Sequence, residues 1–249
     1  SNNGSQNQPF ESIQRAIDAA NEGDMVIVSP GTYVENINYN GKNIIVSAVE
    51  GPDETVIDGN GNLSVVRFVN GEQAVLEGFT ITNGGGETDG GGILIANGSE
   101  PTIDNCIITE NSAQWGGGIY FSGNMEGVVM NTIISNNYAV NEGGGVGIGS
   151  ASPIFENCMI INNSSDGEGG GLEAHNNSSF MMVNCVVSGN EGGGVGGGIR
   201  VFGGSPTIEG TLIANNIASV EGAGMKFTGS TPTIESCTIV NNQSSVCAG

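Results

Sequence analysis

Positive charge is nearly absent from this chain. Lysine and arginine together number 5, against 26 aspartates and glutamates, giving a formal net charge of −21 over 249 residues. A surface this acidic repels phosphate backbones and anionic headgroups, which excludes nucleic acid and an anionic membrane surface as partners. No apolar run reaches the roughly 20 residues of a membrane-spanning helix. Aromatic residues are only 5% of the chain, with one tryptophan, and there is one histidine. Cysteine is sparse and odd in number, at 5. Cys106, Cys158, Cys185 and Cys237 fall at one phase of a repeat, with Cys247 near the end. That phasing argues against a disulfide framework and lacks the close pairs of a zinc site, so a column of small buried residues is expected.

What the chain has instead is glycine, 44 residues of it. Triplets begin at Gly90, Gly116, Gly143, Gly169, Gly196 and Gly222, the last reading Gly222-Ala223-Gly224, at intervals of 26, 27, 26, 27 and 26 residues. A constant period of this size marks a solenoid in which each unit stacks on the next. Each triplet leads into an alternating strand such as 119–122. A second short strand follows, as at 101–105, then a third, as at 106–108, and a loop reaches the next triplet. Three strands in about 26 residues predict an all-β, right-handed parallel β-helix. Asn111, Asn137, Asn163, Asn190, Asn216 and Asn242 hold one phase. Stacked at one corner, they can hydrogen-bond along the column and take up a left-handed turn. The triplets lack the lysine and the strand-to-helix context of a phosphate loop, so no organic cofactor is expected.

Residues 1–8 read as a polar tail without a leader pattern, and residues 9–23 as an N-terminal capping helix with Phe10, Ile13, Ile17 and Ala20 on one face. Residues 24–249 read as a single β-helix domain. No closing helix follows the last unit, and an open coil is a pairing edge. A fold-over of the tail, self-association there, or excision from a longer protein would each answer it, and the last is preferred.

The opening Pro9-Phe10-Glu11-Ser12-Ile13-Gln14-Arg15-Ala16-Ile17, followed by Val26-Ile27-Val28 and Pro30-Gly31-Thr32-Tyr33, resembles the start of secreted members of the pectin-lyase-like β-helix superfamily. The unit Gly116-Gly117-Gly118-Ile119-Tyr120 resembles the repeats of bacterial polymorphic outer-membrane and related surface proteins. The resemblance implies the fold and an extracellular or cell-surface location. It implies no single activity, because this fold carries lyases, hydrolases, epimerases and adhesins.

In enzymes of that superfamily the substrate lies on the outer face of the first strand, so the resemblance directs attention there. Alternation places Arg67, Leu94, Tyr120, Gly147, Glu173, Arg200 and Lys226 in one outward column, and Val69, Ala96, Ser122, Gly149, His175, Phe202 and Thr228 in the next. Arg67, Tyr120, Glu173, His175, Arg200, Phe202 and Lys226 are the candidate ligand-binding set. As a polysaccharide lyase, the chain would use Arg200 or Lys226 to offset a uronate carboxylate, His175 or Lys226 as base, and Glu173 beside them. Only one carboxylate stands in these columns, which disfavours a hydrolase. Equally, Glu173 opposite Arg200 reads as an ordinary cross-strand ion pair.

Two further columns stand out. Asp89, Glu142, Glu168 and Glu221 each precede a triplet, with Asp166 nearby and Trp115 and Val195 interrupting the series. Stacked carboxylates suit calcium, or else splay into solvent. Ile107, Ile133, Met159, Val186 and Leu212 form an outward apolar stripe suited to self-association, or to nothing more than β-propensity. The leading reading is a β-helix that binds polysaccharide or a cell-surface partner without catalysis, as an adhesin does. A lyase is the alternative. A structural stalk or ice-binding surface is a third class, although Val128, Ile154 and Met181 break the threonine series Thr102, Thr207 and Thr233.

Overall fold

The computed structural model describes residues 4–5, 7–85 and 89–246. Cys247 and parts of the polar tail, Ser1, Asn2, Asn3 and Gln6, lie outside the described residues. The chain winds as a parallel solenoid. Among the described residues its strands form four parallel sheets, of nine, nine, six and eight strands. The eight-stranded sheet carries the strands that follow the glycine triplets: Ile93–Ala96, Ile119–Ser122, Val146–Gly149, Leu172–His175, Ile199–Phe202 and Met225–Thr228, preceded by Ile37–Asn38 and Val66–Phe68. One nine-stranded sheet holds Thr102–Asp104 and its equivalents, and the other holds Ile107–Thr109 and its equivalents.

The six-stranded sheet corrects the expectation of three strands per unit. The segment between the asparagine and the triplet, read as a loop, pairs with itself from coil to coil, as in Ser112–Trp115 against Tyr138–Glu142. These strands are short and mostly polar, so they offer no run of alternation to detect.

The core is a stack of inward columns. Ile119, Val146, Leu172 and Ile199 occupy one, and Phe121, Ile148, Ala174 and Val201 the next, all fully buried. Among the described residues Cys106, Cys158, Cys185 and Cys237 are free and belong to another such column, in which the Thr132 and Thr211 hydroxyls accept from the backbone nitrogens of Cys106 and Cys185. Burial pushes the Cys106 thiol up to about 12, which leaves it protonated and unreactive. The apolar stripe faces outward as expected: Ile107, Ile133 and Val186 are half-buried, while Met159 and Leu212 are exposed.

The asparagines divide into two jobs. The amide of Asn111 donates to Asn137 Oδ1, that of Asn137 to Asn163, Asn163 to Asn190, Asn190 to Asn216 and Asn216 to Asn242, at 2.9–3.1 Å. Each amide also donates to a backbone carbonyl of the preceding coil, such as Ile134 O for Asn163. The left-handed turn expected of these residues belongs to their neighbours, Asn136 (φ 55°), Asn162 (55°), Asn215 (57°) and Asn241 (57°). The second asparagine column, Asn105, Asn131, Asn157 and Asn184, is left-handed as well, continued by Gly210 and Ser236.

The N-terminal helix spans Ile13–Ala19, shorter than the predicted 9–23. The Ser12 hydroxyl accepts from Arg15 N at 3.3 Å and fixes the start, while Ala20 is already extended. Ile13 and Ile17 cover the first coil and are buried. Glu35 accepts from the backbone nitrogens of Ile13 and Gln14, and Lys42 donates to the carbonyls of Ile17, Asp18 and Ala20 at 2.8 Å. An anion at the N-terminus and a cation at the C-terminus complement the helix dipole and tie the cap to the first coils.

A buried carboxylate serves the same end of the solenoid. Glu72 is fully buried and accepts from Gly41 N, Asn70 N and Ser99 Oγ at 2.9, 2.8 and 2.6 Å. Burial would raise its pKa, but the hydrogen bonds from Ser99, Asn70 and Gly41 outweigh it and hold the carboxyl below the usual range. A native pKa below the unfolded one gives stability that is present above the ordinary glutamate value and lost as pH falls through the native value. The denaturation midpoint is therefore expected to drop between pH ~6 and pH ~3, with Glu72→Gln flattening part of that drop. An acid profile identical in the variant would remove Glu72 as a source.

Candidate functional site

The outer face of the eight-stranded sheet carries an open groove of about 600 Å³. The register places Arg67, Leu94, Tyr120, Gly147, Glu173, Arg200 and Lys226 as successive Cα partners, in the order read from the sequence. Ser122, Gly149 and His175 are likewise partners, as are Phe202 and Thr228. The acidic series stacks too, with Asp89 paired to Trp115, Trp115 to Glu142 and Glu142 to Glu168.

The structure brings these two sets together. The first glycine of each triplet is left-handed, Gly116 at φ 62° and Gly143 at 67°, and its bend lays the preceding residue beside the strand that follows. Asp89, Glu142 and Glu168 therefore join Glu173 in one groove, with Trp115, Tyr120 and Phe202 as its aromatic surfaces. Of the cations only Arg200 lines it, accompanied by His175 and Asn176. Arg67 and Lys226 stand in the column but outside the groove. The sequence treated the acidic series and the strand face as separate surfaces. Trp115, read only as an interruption of the acids, lines the same groove.

Side-chain pairing differs from strand pairing. Arg200 and Glu173 are Cα partners, yet Arg200 Nε binds Glu168 Oε2 at 2.7 Å. Its Nη1 donates to Val201 O at 2.7 Å and Thr228 Oγ1 at 3.1 Å, and the guanidinium lies 5.6 Å from the Phe202 ring centre. Lys226 is bound by Glu221 at 2.5 Å. Asp166 accepts from the Tyr138 hydroxyl at 2.7 Å. Thus Glu168, Glu221 and Asp166, which were expected to hold a cation, already have protein partners.

Glu173 bonds instead to His175 Nδ1, at 2.8 Å, with Glu142 3.7 Å from the same nitrogen. Burial pushes the Glu173 carboxyl above the usual range, although its hydrogen bond to His175 pulls the other way. That same hydrogen bond raises His175 above an ordinary histidine despite its burial. Ligand atoms of Glu142, Glu173 and His175 lie within 4.8 Å of one another, the one such cluster among the described residues. Tyr120 lies over the bare Gly147–Gly149 strand, and its hydroxyl is pushed up to about 12 by burial and by Asp89, Glu173 and Glu142. No described helix is long and apolar enough to cross a membrane.

The fold has solved relatives. Pectin methylesterase from Aspergillus niger superposes with a TM-score of 0.60 at 14% identity, over 97% of this chain and 84% of that one. Pectin methylesterase from Yersinia enterocolitica gives 0.59 at 13%, over 92% and 90%. The pectate lyase Pel9A gives 0.60 at 16%, over 99% and 76%. At such identities the likeness is one of fold. No curated protein sequence matches the chain. Residues 1–46 match a family described as a protein of unknown function, DUF1565. Residues 55–213, more than half the chain, match the model described as right handed beta helix region, and the chain belongs to that family.

Proposed function

We propose that this chain is an extracellular or cell-surface β-helix that binds carbohydrate in the groove of the eight-stranded sheet, without catalysis. The observation that carries this reading is the meeting of Trp115, Tyr120 and Phe202 with a dense set of polar groups in one open cleft. Ring faces take the apolar C–H face of a pyranose, and carboxylates take its hydroxyls, which is the division of labour a sugar site needs. The shared fold with pectin methylesterases and a pectate lyase supports the reading. Phe202 is exposed and can be removed without disturbing the core. Trp115→Ala and Phe202→Ala are each expected to weaken glycan binding about tenfold, read by calorimetry on a hit from a glycan array. Unchanged affinity in both variants would move the site elsewhere.

One contact favours a second reading, a polysaccharide lyase. His175, oriented by Glu173 at 2.8 Å, is an acid–base group facing the cleft. The charge that such a reaction needs opposite a uronate would fall to Arg200, which Glu168 already holds. Absorbance of new unsaturated ends, in a screen of acidic polysaccharides with and without calcium, separates the two readings.

A further inference from the structure

We propose that the groove takes a cationic glycan, a chain of protonated amino sugars, and rejects polyuronate. This rests on the carbohydrate-binding reading above and names the ligand class for that same cleft.

Cations are scarce in the cleft. The chain has five, and two of them were positioned to receive an anionic polymer. Lys226 is bound by Glu221 and stands outside the cleft. Arg200 is 7% exposed, bound by Glu168 through Nε, and spends Nη1 on Val201 O and Thr228 Oγ1. A uronate carboxylate would compete with Glu168 for a largely buried guanidinium, and no other lysine or arginine lines the cleft to compensate.

Four carboxylates, of Asp89, Glu142, Glu168 and Glu173, face the cleft against the Arg200 guanidinium and the His175 imidazole. A concave wall of one sign focuses its field into the cleft and attracts the opposite charge. The ring faces of Trp115, Tyr120 and Phe202 carry negative quadrupoles, so they attract an ammonium as well as a sugar's C–H face.

Coils repeat at ~4.8 Å, close to the length of one pyranose unit, so successive sugars meet successive coils. Tyr120 stands on one coil, Glu173 two coils further and Phe202 three. The Gly147–Gly149 strand between Tyr120 and His175 makes room for the tyrosine: a Cβ on Gly149 would lie 2.8 Å from Tyr120 Oη and 3.1 Å from His175 Nε2. The Tyr120 ring, laid across that coil, is therefore the surface a polymer meets there.

The test is calorimetry on the full chain with short oligomers of glucosamine, N-acetylglucosamine, galacturonate and lysine, and with calcium alone. The glucosamine oligomer is expected to bind about tenfold or more tightly than its N-acetylated form. Added salt should weaken it. Glu142→Gln, whose side chain is 36% exposed and so leaves the core intact, should weaken it several-fold, and Glu173→Gln further. Equal binding of the N-acetylated oligomer, lost in Trp115→Ala, would overturn the cationic assignment and keep the carbohydrate reading. Tighter binding of galacturonate, equal binding of oligolysine, calcium binding with glucosamine ignored, or indifference to Glu142→Gln would each overturn it as well. Binding of no oligomer would sink both this assignment and the reading beneath it.

Discussion

Alanine at Gly144 is expected to break the solenoid around its middle coils. A Cβ at this position would overlap two backbone oxygens, Ser164 O and Gly170 O, both in the coil stacked against it. Backbone atoms cannot swing aside as a side-chain tip does, so the two coils would have to separate and give up their hydrogen bonds. Gly144 itself donates to Gly169 O, and Gly170 to Gly196 O, so the disturbance runs along the stack. The cost is expected to exceed about 3 kcal/mol, the range of severe overpacking. Gly98 is the control: it is left-handed at φ 79°, but a Cβ there meets nothing. Gly98→Ala should cost only about 1 kcal/mol of backbone strain. Equal urea midpoints for the two variants would show that triplet packing is not what spaces the coils.

Asn163→Ala is expected to cost about 4 kcal/mol, close to the upper end for a single substitution. The side chain is 1% exposed and occupies four hydrogen bonds. Its amide donates to Ile134 O at 2.9 Å and Asn190 Oδ1 at 3.1 Å, while its oxygen accepts from Asn137 N at 2.9 Å and Asn137 Nδ2 at 3.0 Å. Truncation strands the partners on both neighbouring coils in a place water cannot reach, and each buried orphan costs about 1–3 kcal/mol. Asn163→Asp tests the same point differently, because a carboxylate cannot donate to Ile134 O. Hydrogen exchange should show the loss concentrated in the coils carrying Asn137 and Asn190. A uniform small effect would mean that the ladder is decorative.

The repeat made most of this architecture legible. Once the triplets were aligned, every partner in the column from Arg67 to Lys226 followed, because a solenoid's register is its period. Three features did not follow. The short fourth sheet has too few residues per strand for alternation to show. The left-handed turns sit one residue before the ladder asparagines, a shift invisible where Asn136-Asn137 and Asn162-Asn163 stand together. The ion pairs run diagonally, Arg200 to Glu168 and Lys226 to Glu221, because a long side chain follows the nearest charge and not its strand partner. That last point decided the site. Alignment by column put cations on the face, whereas the folded chain places most of the cleft's charge on carboxylates.

The asparagine ladder also bears on how such a chain changes length. Within the ladder each amide donates to the asparagine of the next coil and each side-chain oxygen accepts from the asparagine of the coil before, so each interior asparagine has two neighbours of identical kind. Duplicating one whole unit would insert another link that makes the same bonds, leaving both ends as they were. Removing a fraction of a unit would put an inward residue outside and leave an amide without its acceptor. Gene duplication can therefore lengthen or shorten this molecule only in complete turns, and the interior asparagine acts as the tally mark that makes a partial turn unfit.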